Sequence, residues 1–168
     1  MMKFFKFTFV ALLLLVATAT VSAQKFGYVN SAEILSELPA TKAAESNLDA
    51  LQKQLQKQGQ GMVETFQTDY QRLQEQAQQG TLSPKQQQEE AAKLEKRQEE
   101  ITNFEQKMMN DLQKKRQTLL TPIYDSINNA IKEVAEENGF QFIFDEQVLL
   151  YGQDSQDVTA LVRAKLGM

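Results

Sequence analysis

The sequence predicts a mostly α-helical α+β protein in which a long antiparallel helical hairpin, a coiled-coil arm, projects from a small β-rich oligomerisation body. Three observations lead to this prediction. Apolar residues recur at helical spacing over residues 39–138. Signals for a helix end and a helix start lie a few residues apart near the middle of that stretch, and short strand-like runs flank it. We call residues 41–121 the arm, and residues 24–40 together with 122–168 the body.

The first 23 residues have the pattern of a secretory signal peptide. Lys3 and Lys6 precede an apolar run over residues 7–19, and small side chains end at Ala23. That run is shorter than the roughly 20 residues that a membrane-spanning helix needs, which disfavours the alternative of an uncleaved anchor. We therefore expect cleavage after Ala23, export, and a single mature chain of residues 24–168.

The composition disfavours several kinds of chemistry. The chain contains no Cys and no His, so the commonest transition-metal ligands and the usual neutral-pH general base are missing. Residues 24–168 carry 16 basic and 22 acidic side chains, a balance that argues against nucleic acid as a partner. We expect no catalytic residue, no cofactor and no metal.

The body is predicted to begin with a short strand over residues 25–29. Asn30 has the character of a helix N-cap, with Glu33 as its capping-box partner. Pro39 should end the short helix that follows, because proline cannot continue a helical hydrogen-bond ladder.

The arm is predicted to be two antiparallel helices joined by a short turn. Gly80 suits the left-handed residue that follows a helix end. Ser83, Pro84 and Gln86 provide the N-cap, first-turn proline and capping-box partner of the return helix. Pro122 should interrupt that helix and kink it where the arm joins the body.

Glutamine is abundant in the arm, with 18 residues between Gln52 and Gln117. A disordered low-complexity segment is the alternative interpretation of such a tract. We prefer helices, because apolar periodicity and capping signals persist through it.

The last part of the body is predicted to contain two strands and a helix. Aromatic side chains alternate over residues 140–144, residues 148–151 form a continuous apolar run, and Asp157 should cap a final helix. Three short strands do not make an independently stable sheet with both faces covered, so we expect several copies to pool them in a shared core. The candidates for that core are Tyr28, Val29, Phe142, Phe144, Leu149 and Tyr151.

The apolar stripe of the arm is wider than a seam between two helices requires. Neighbouring helical residues point about 100° apart, so one member of each adjacent apolar pair lies off the seam. Methionine adapts to varied surfaces, which suits weak contact with unfolded chains. For any single residue, the plainer interpretation is that it widens the hairpin's own packing. The candidates for such contact are Met62, Val63, Phe66, Tyr70, Met108 and Met109.

Gly59 and Gly61 lie in the middle of the outgoing helix, where each costs about 1 kcal/mol relative to alanine. They are a possible hinge that lets the arm bend. The alternative is that the surrounding helix simply tolerates both glycines.

The order of these pieces resembles the Skp (OmpH-like) family of periplasmic chaperones. The resemblance covers residues 26–31, the charged Gln-rich hairpin, residues 142–145 and 148–151, and residues 157–159 at the start of the last helix. It implies a homotrimer in the periplasm, with three arms around a cavity. It also implies binding of unfolded outer-membrane β-barrel proteins without ATP, and no catalytic residues.

One feature departs from the best-known members of that family, whose arms are strongly basic. Residues 42–121 carry 12 basic and 12 acidic side chains, which argues against binding to anionic lipid or lipopolysaccharide. The main alternative function is a structural coiled-coil adaptor of the cell envelope that binds one fixed partner. A strict heptad seam would favour the adaptor, whereas the widened, Met-containing stripe favours the chaperone. An enzyme is disfavoured, because no nucleophile–base pair or phosphate loop is visible.

Overall fold

The computed structural model describes residues 24–168, so the predicted signal peptide lies outside the described residues. In chain order the elements are β1 (Phe26–Val29), α1 (Ser31–Glu37), α2 (Pro39–Gln78), α3 (Pro84–Asn138), β2 (Phe142–Asp145) and α4 (Thr159–Lys165). Two short 3-10 turns, Glu146–Val148 and Asp154–Gln156, lie between β2 and α4.

The predicted helical hairpin is confirmed by α2 and α3, which contain 40 and 55 residues. At 1.5 Å per residue, α2 is about 60 Å long. Gly80 has a positive φ of 67°, a conformation that glycine adopts readily. The Ser83 hydroxyl accepts a hydrogen bond from the Gln86 N–H, and the Gln86 side chain accepts one from the Ser83 N–H. The turn therefore forms as the sequence predicts.

The predicted interruption at Pro122 is wrong. Helix α3 continues through this proline to Asn138, and Gly139 follows in the left-handed conformation with a φ of 69°. Pro122 is exposed, whereas the next residue, Ile123, is buried in the core. The proline ring thus occupies the solvent side of a helix that packing holds on its other side.

The sheet of the body has two parallel strands, with Phe26 opposite Phe142 and Tyr28 opposite Phe144. Parallel strands need a long crossover connection, which here is the entire arm. On the other edge of β1, the Val158 N–H donates to the Tyr28 carbonyl oxygen at 2.9 Å. Strand β1 thus has neighbours on both sides, whereas β2 pairs only with β1 within residues 24–168.

Helices enclose the core of the body on one side of this sheet. It consists of apolar side chains from β1, all four helices and the segment before α4. The buried members are Val29, Ile34, Leu38, Ala44, Ile123, Ile127, Ala130, Val134, Val158 and Val162. Ala44 lies in the first turns of α2 and Leu119 of α3 packs against the same cluster, so the core extends a short way into the base of the arm.

The strand predicted over residues 148–151 is wrong. The Asp145 carboxylate accepts a hydrogen bond from the Gln147 N–H at 2.9 Å, and the Leu149 N–H donates to the Glu146 carbonyl oxygen at 3.0 Å. These bonds bend the chain directly after β2. Leu150 and Tyr151 are consequently exposed instead of buried on both faces.

The capping box predicted at Asn30 forms only in part. The Asn30 side chain accepts from the Glu33 N–H, but the Asn30 N–H donates to the Thr159 hydroxyl of α4 at 2.9 Å. The Glu33 carboxylate instead pairs with Arg163 at 3.3 Å. The last helix begins one residue later than predicted, with Val158 at the N-cap position, and the Asp157 carboxylate accepts from the Thr159 N–H at 2.8 Å.

Candidate functional site

The arm has very little buried interior. Beyond Ala44 at its base, the described arm residues include only two buried hydrophobic side chains, Leu94 and Ile101. The rest of the apolar stripe is half-buried or exposed. Two helices can cover only one narrow seam, so much of the apolar surface of the arm stays available for contact.

The six arm residues predicted to contact partners divide into two groups. Val63, Tyr70 and Met109 are exposed, and Met109 is the most accessible of them at 64%. The other three are half-buried along the seam, and these are Met62, Phe66 and Met108. The Tyr70 ring stacks on the Phe66 ring one turn away, with centroids 6.3 Å apart. The exposed Tyr70 ring therefore packs against the half-buried Phe66 ring.

The two predicted hinge glycines have different surroundings. A Cβ on Gly59 would lie 3.3 Å from the Phe104 ring of α3, whereas a Cβ on Gly61 would meet nothing within 4 Å. Gly59 thus admits an aromatic ring from the return helix. Two grooves flank Ile101 at this level, one of about 690 Å³ that includes Gly59 and one of about 290 Å³ that includes Gly61.

One ion pair crosses between the arm helices. The Asp69 carboxylate of α2 contacts the Arg97 guanidinium of α3 and also pairs with Arg72 at 3.1 Å. Every other arm ion pair in the described chain joins residues three or four apart on one helix. Asp69 and Arg97 therefore link the two helices in the outer part of the arm.

The second candidate surface is the outer face of the sheet. The rings of Phe26, Phe142 and Phe144 stack with centroids 5.9 to 6.4 Å apart. All three rings are exposed, Phe142 to 56%. We call these three residues the aromatic face. The alternation of aromatic residues in β2 predicted its two members, whereas Phe26 was missed because the run in β1 does not alternate.

The remaining candidates for a shared core lie in different environments. Val29 is part of the core of the single chain and Tyr28 is covered by its own loop, since a Cβ on Gly152 would lie 2.6 Å from the Tyr28 ring. Burial raises the pKa of the Tyr28 phenol, and Asp157 adds to the effect. These two side chains are thus buried without a second copy. Leu149 is half-buried and Tyr151 is 80% exposed.

No cluster of three or more acidic side chains within residues 24–168 could hold a metal ion. None of the described helices is both long and apolar enough to cross a membrane. The two candidate surfaces described above are the apolar side of the arm and the aromatic face.

The fold and its surfaces define a class of protein in which a helical hairpin extends from a small body. The family model for outer membrane protein (OmpH-like) matches residues 25–166. This chain belongs to the OmpH-like family.

Two known proteins are similar to this chain over most of its length. The chaperone protein Skp of Yersinia enterocolitica is 28% identical over 152 residues, which cover 88% of this chain and 89% of that protein. A crystal structure from Caulobacter crescentus CB15, provisionally described as an OmpH-like outer membrane chaperone, superimposes with a TM-score of 0.75. It is 16% identical, and the match covers 86% of this chain and 85% of the other. The predicted family and fold class are thereby confirmed.

Proposed function

We propose that this protein is an ATP-independent periplasmic holdase that binds unfolded outer-membrane β-barrel proteins and prevents their aggregation in transit to the outer membrane. The observation that supports this most is the exposure of separate apolar side chains along a thinly packed arm. The relative from Yersinia enterocolitica is named a chaperone, and membership of the same family supports the same class of function here.

The spacing of the exposed apolar residues suits a partner without fixed structure. Val63 and Tyr70 are about 10 Å apart along α2. Met109 lies on α3 about 14 Å nearer the body than Val63, at the level where Leu55 and Met108 line one groove. Each contact alone is weak, but several together retain a flexible chain. Release then needs no covalent step and no nucleotide.

The body is proposed to assemble three copies through the aromatic face. The three stacked, exposed phenylalanines provide apolar surface that a second copy can cover. The outer edge of β2 provides backbone hydrogen-bonding groups that a second copy can pair with. Tyr151 and Leu150 extend this exposed surface. The number three rests on the family resemblance. In such an assembly three arms project from one base.

The proposed activity involves no catalysis, cofactor or membrane anchor. The arm has equal numbers of acidic and basic residues, so apolar contact supplies most of the affinity for clients. We expect client affinity to fall only modestly between low and high salt, because no large single-sign field is present to be screened. A steep loss with salt would contradict this account.

Light scattering on the purified, exported protein tests the proposal. Its mass is measured alone and after mixing with a β-barrel protein diluted from urea. A trimer that keeps the client soluble in a defined complex supports both the assembly and the holdase. A trimer that leaves the client to aggregate would favour the adaptor with one fixed partner, and a monomer would contradict the shared assembly.

A further inference from the structure

The charges of the arm are segregated along its length. The part nearest the body, residues 42–57 and 107–121, carries seven basic and three acidic side chains. The outer part, residues 58–106, carries five basic and nine acidic side chains. An arm that is neutral as a whole thus offers a basic inner part and an acidic outer part to any chain lying along it.

The larger groove of the arm lies close to the border between these parts. Its floor is apolar and includes Leu55, Ile101, Phe104 and Met108. The missing side chain of Gly59 leaves room for the Phe104 ring. At about 690 Å³, the groove is large enough for one or two bulky side chains. We call it the central groove.

The central groove has a carboxylate on each helix. Glu64 of α2 and Glu105 of α3 both line it, and both are exposed. Neither forms an ion pair with any side chain in residues 24–168. The other polar lining residues are uncharged glutamines. An apolar floor is therefore combined with negative charge from both helices and no basic residue.

A second groove nearer the body has the opposite charge. It measures about 290 Å³, and Leu48, Met109 and Leu112 give it an apolar floor. Its charged residue is Arg116, which has no ion pair within the described chain. We call it the basal groove. Both grooves have apolar floors but their charged residues have opposite signs, so they provide an internal comparison.

We propose that the central groove selects client segments in which a lysine or arginine neighbours an aromatic or large aliphatic side chain. This inference rests on the proposed holdase function and names the chemistry of the segment held at this place. The apolar side chain enters the groove, and the neighbouring cation pairs with Glu64 or Glu105, which both line it. Such pairing adds to affinity modestly, because exposed ion pairs contribute about 0.2–1 kcal/mol each.

The test compares two fluorescent peptides that contain the same aromatic and aliphatic residues. One peptide has lysines beside the aromatic residues and the other has glutamates at those positions. Binding to the purified, exported protein is measured by fluorescence anisotropy at low and high salt. We expect the lysine peptide to bind about three- to tenfold more tightly at low salt, and the preference to shrink at high salt.

Matched variants distinguish the effect of the two groove glutamates from the effect of the overall charge of the arm. Glu64→Gln with Glu105→Gln should remove most of the preference. Glu75→Gln with Glu99→Gln removes the same amount of charge from two exposed glutamates outside the grooves. This control variant should retain the preference for the lysine peptide. Arg116→Gln, in the basal groove, should leave the preference intact or increase it.

Each result bears on the inference in a defined way. Equal binding of both peptides, binding of neither, tighter binding of the glutamate peptide, or equal loss of preference in both double variants would overturn it. If the protein still keeps an unfolded β-barrel protein soluble, the holdase proposal survives that outcome. If the barrel protein also aggregates, both the selectivity and the holdase proposal fail.

Discussion

The body and the arm use apolar residues in opposite ways. The body buries nine side chains in one cluster with Ala44 at the base of the arm, whereas the outer 77 residues of the arm (45–121) bury two. The body is therefore closely packed, whereas the arm leaves apolar surface uncovered at intervals along two helices. From this comparison we predict that stability depends mainly on the body and contact with partners mainly on the arm.

The largest effect on stability should come from the core of the body. Ile34 is fully buried, and Ile34→Ala should lower the free energy of unfolding by about 2–5 kcal/mol because it leaves a cavity. Leu51→Ala removes a half-buried side chain of the arm and should lower the free energy of unfolding by clearly less. Urea denaturation of both variants measures the difference. Equal losses would show that the arm is as tightly packed as the body.

The aromatic face should be needed for assembly but not for the folding of the single chain. Phe142→Glu places a charge on an exposed ring position, so the helix content of the chain should change little. Assembly should weaken by at least about a hundredfold, because an unpaired charge would be buried between copies. Analytical ultracentrifugation checks this against Val63→Glu, the same kind of change on the arm. An unaltered oligomer in Phe142→Glu would remove the aromatic face from the interface.

The glycine pair should show a smaller effect that differs between its two members. Gly61→Ala meets no neighbour and should stabilise the protein by up to about 1 kcal/mol, since alanine favours the helix. Gly59→Ala should stabilise the protein less, because the added Cβ would lie against the Phe104 ring. Thermal unfolding measures both changes.

The double glycine variant also tests the hinge. If the arm bends at these residues, the double variant should hold a narrower range of client sizes. An unchanged range would contradict a hinge and leave Gly59 as a residue that makes room for a ring.

The sequence was sufficient to predict the parts of the fold that depend on local interactions. Ser83 and Gln86 cap each other, and Gly80 takes the left-handed conformation that ends α2. The long stripes of α2 and α3 follow from helical periodicity alone. These signals involve residues a few positions apart, so they are visible in the sequence.

The errors have two different origins, a contact with a distant residue and a local turn. The partner of the Asn30 N–H is Thr159, 129 residues away, instead of the neighbouring Glu33. Residues 148–151 are apolar enough for a strand, but the Asp145 side chain turns the chain before one can form. The fold of the arm was predictable, whereas its exposed residues were not separable from the seam by spacing alone.

The most direct test of the division between body and arm is a variant that changes only exposed arm residues, Val63→Ser, Tyr70→Ser and Met109→Ser together. Its mass and melting temperature are measured first, followed by the light scattering of a β-barrel protein diluted from urea in its presence. We predict an unchanged oligomer, a nearly unchanged melting temperature, and client affinity lowered by about tenfold. Undiminished protection of the client by this folded variant would contradict the assignment of client contact to the arm.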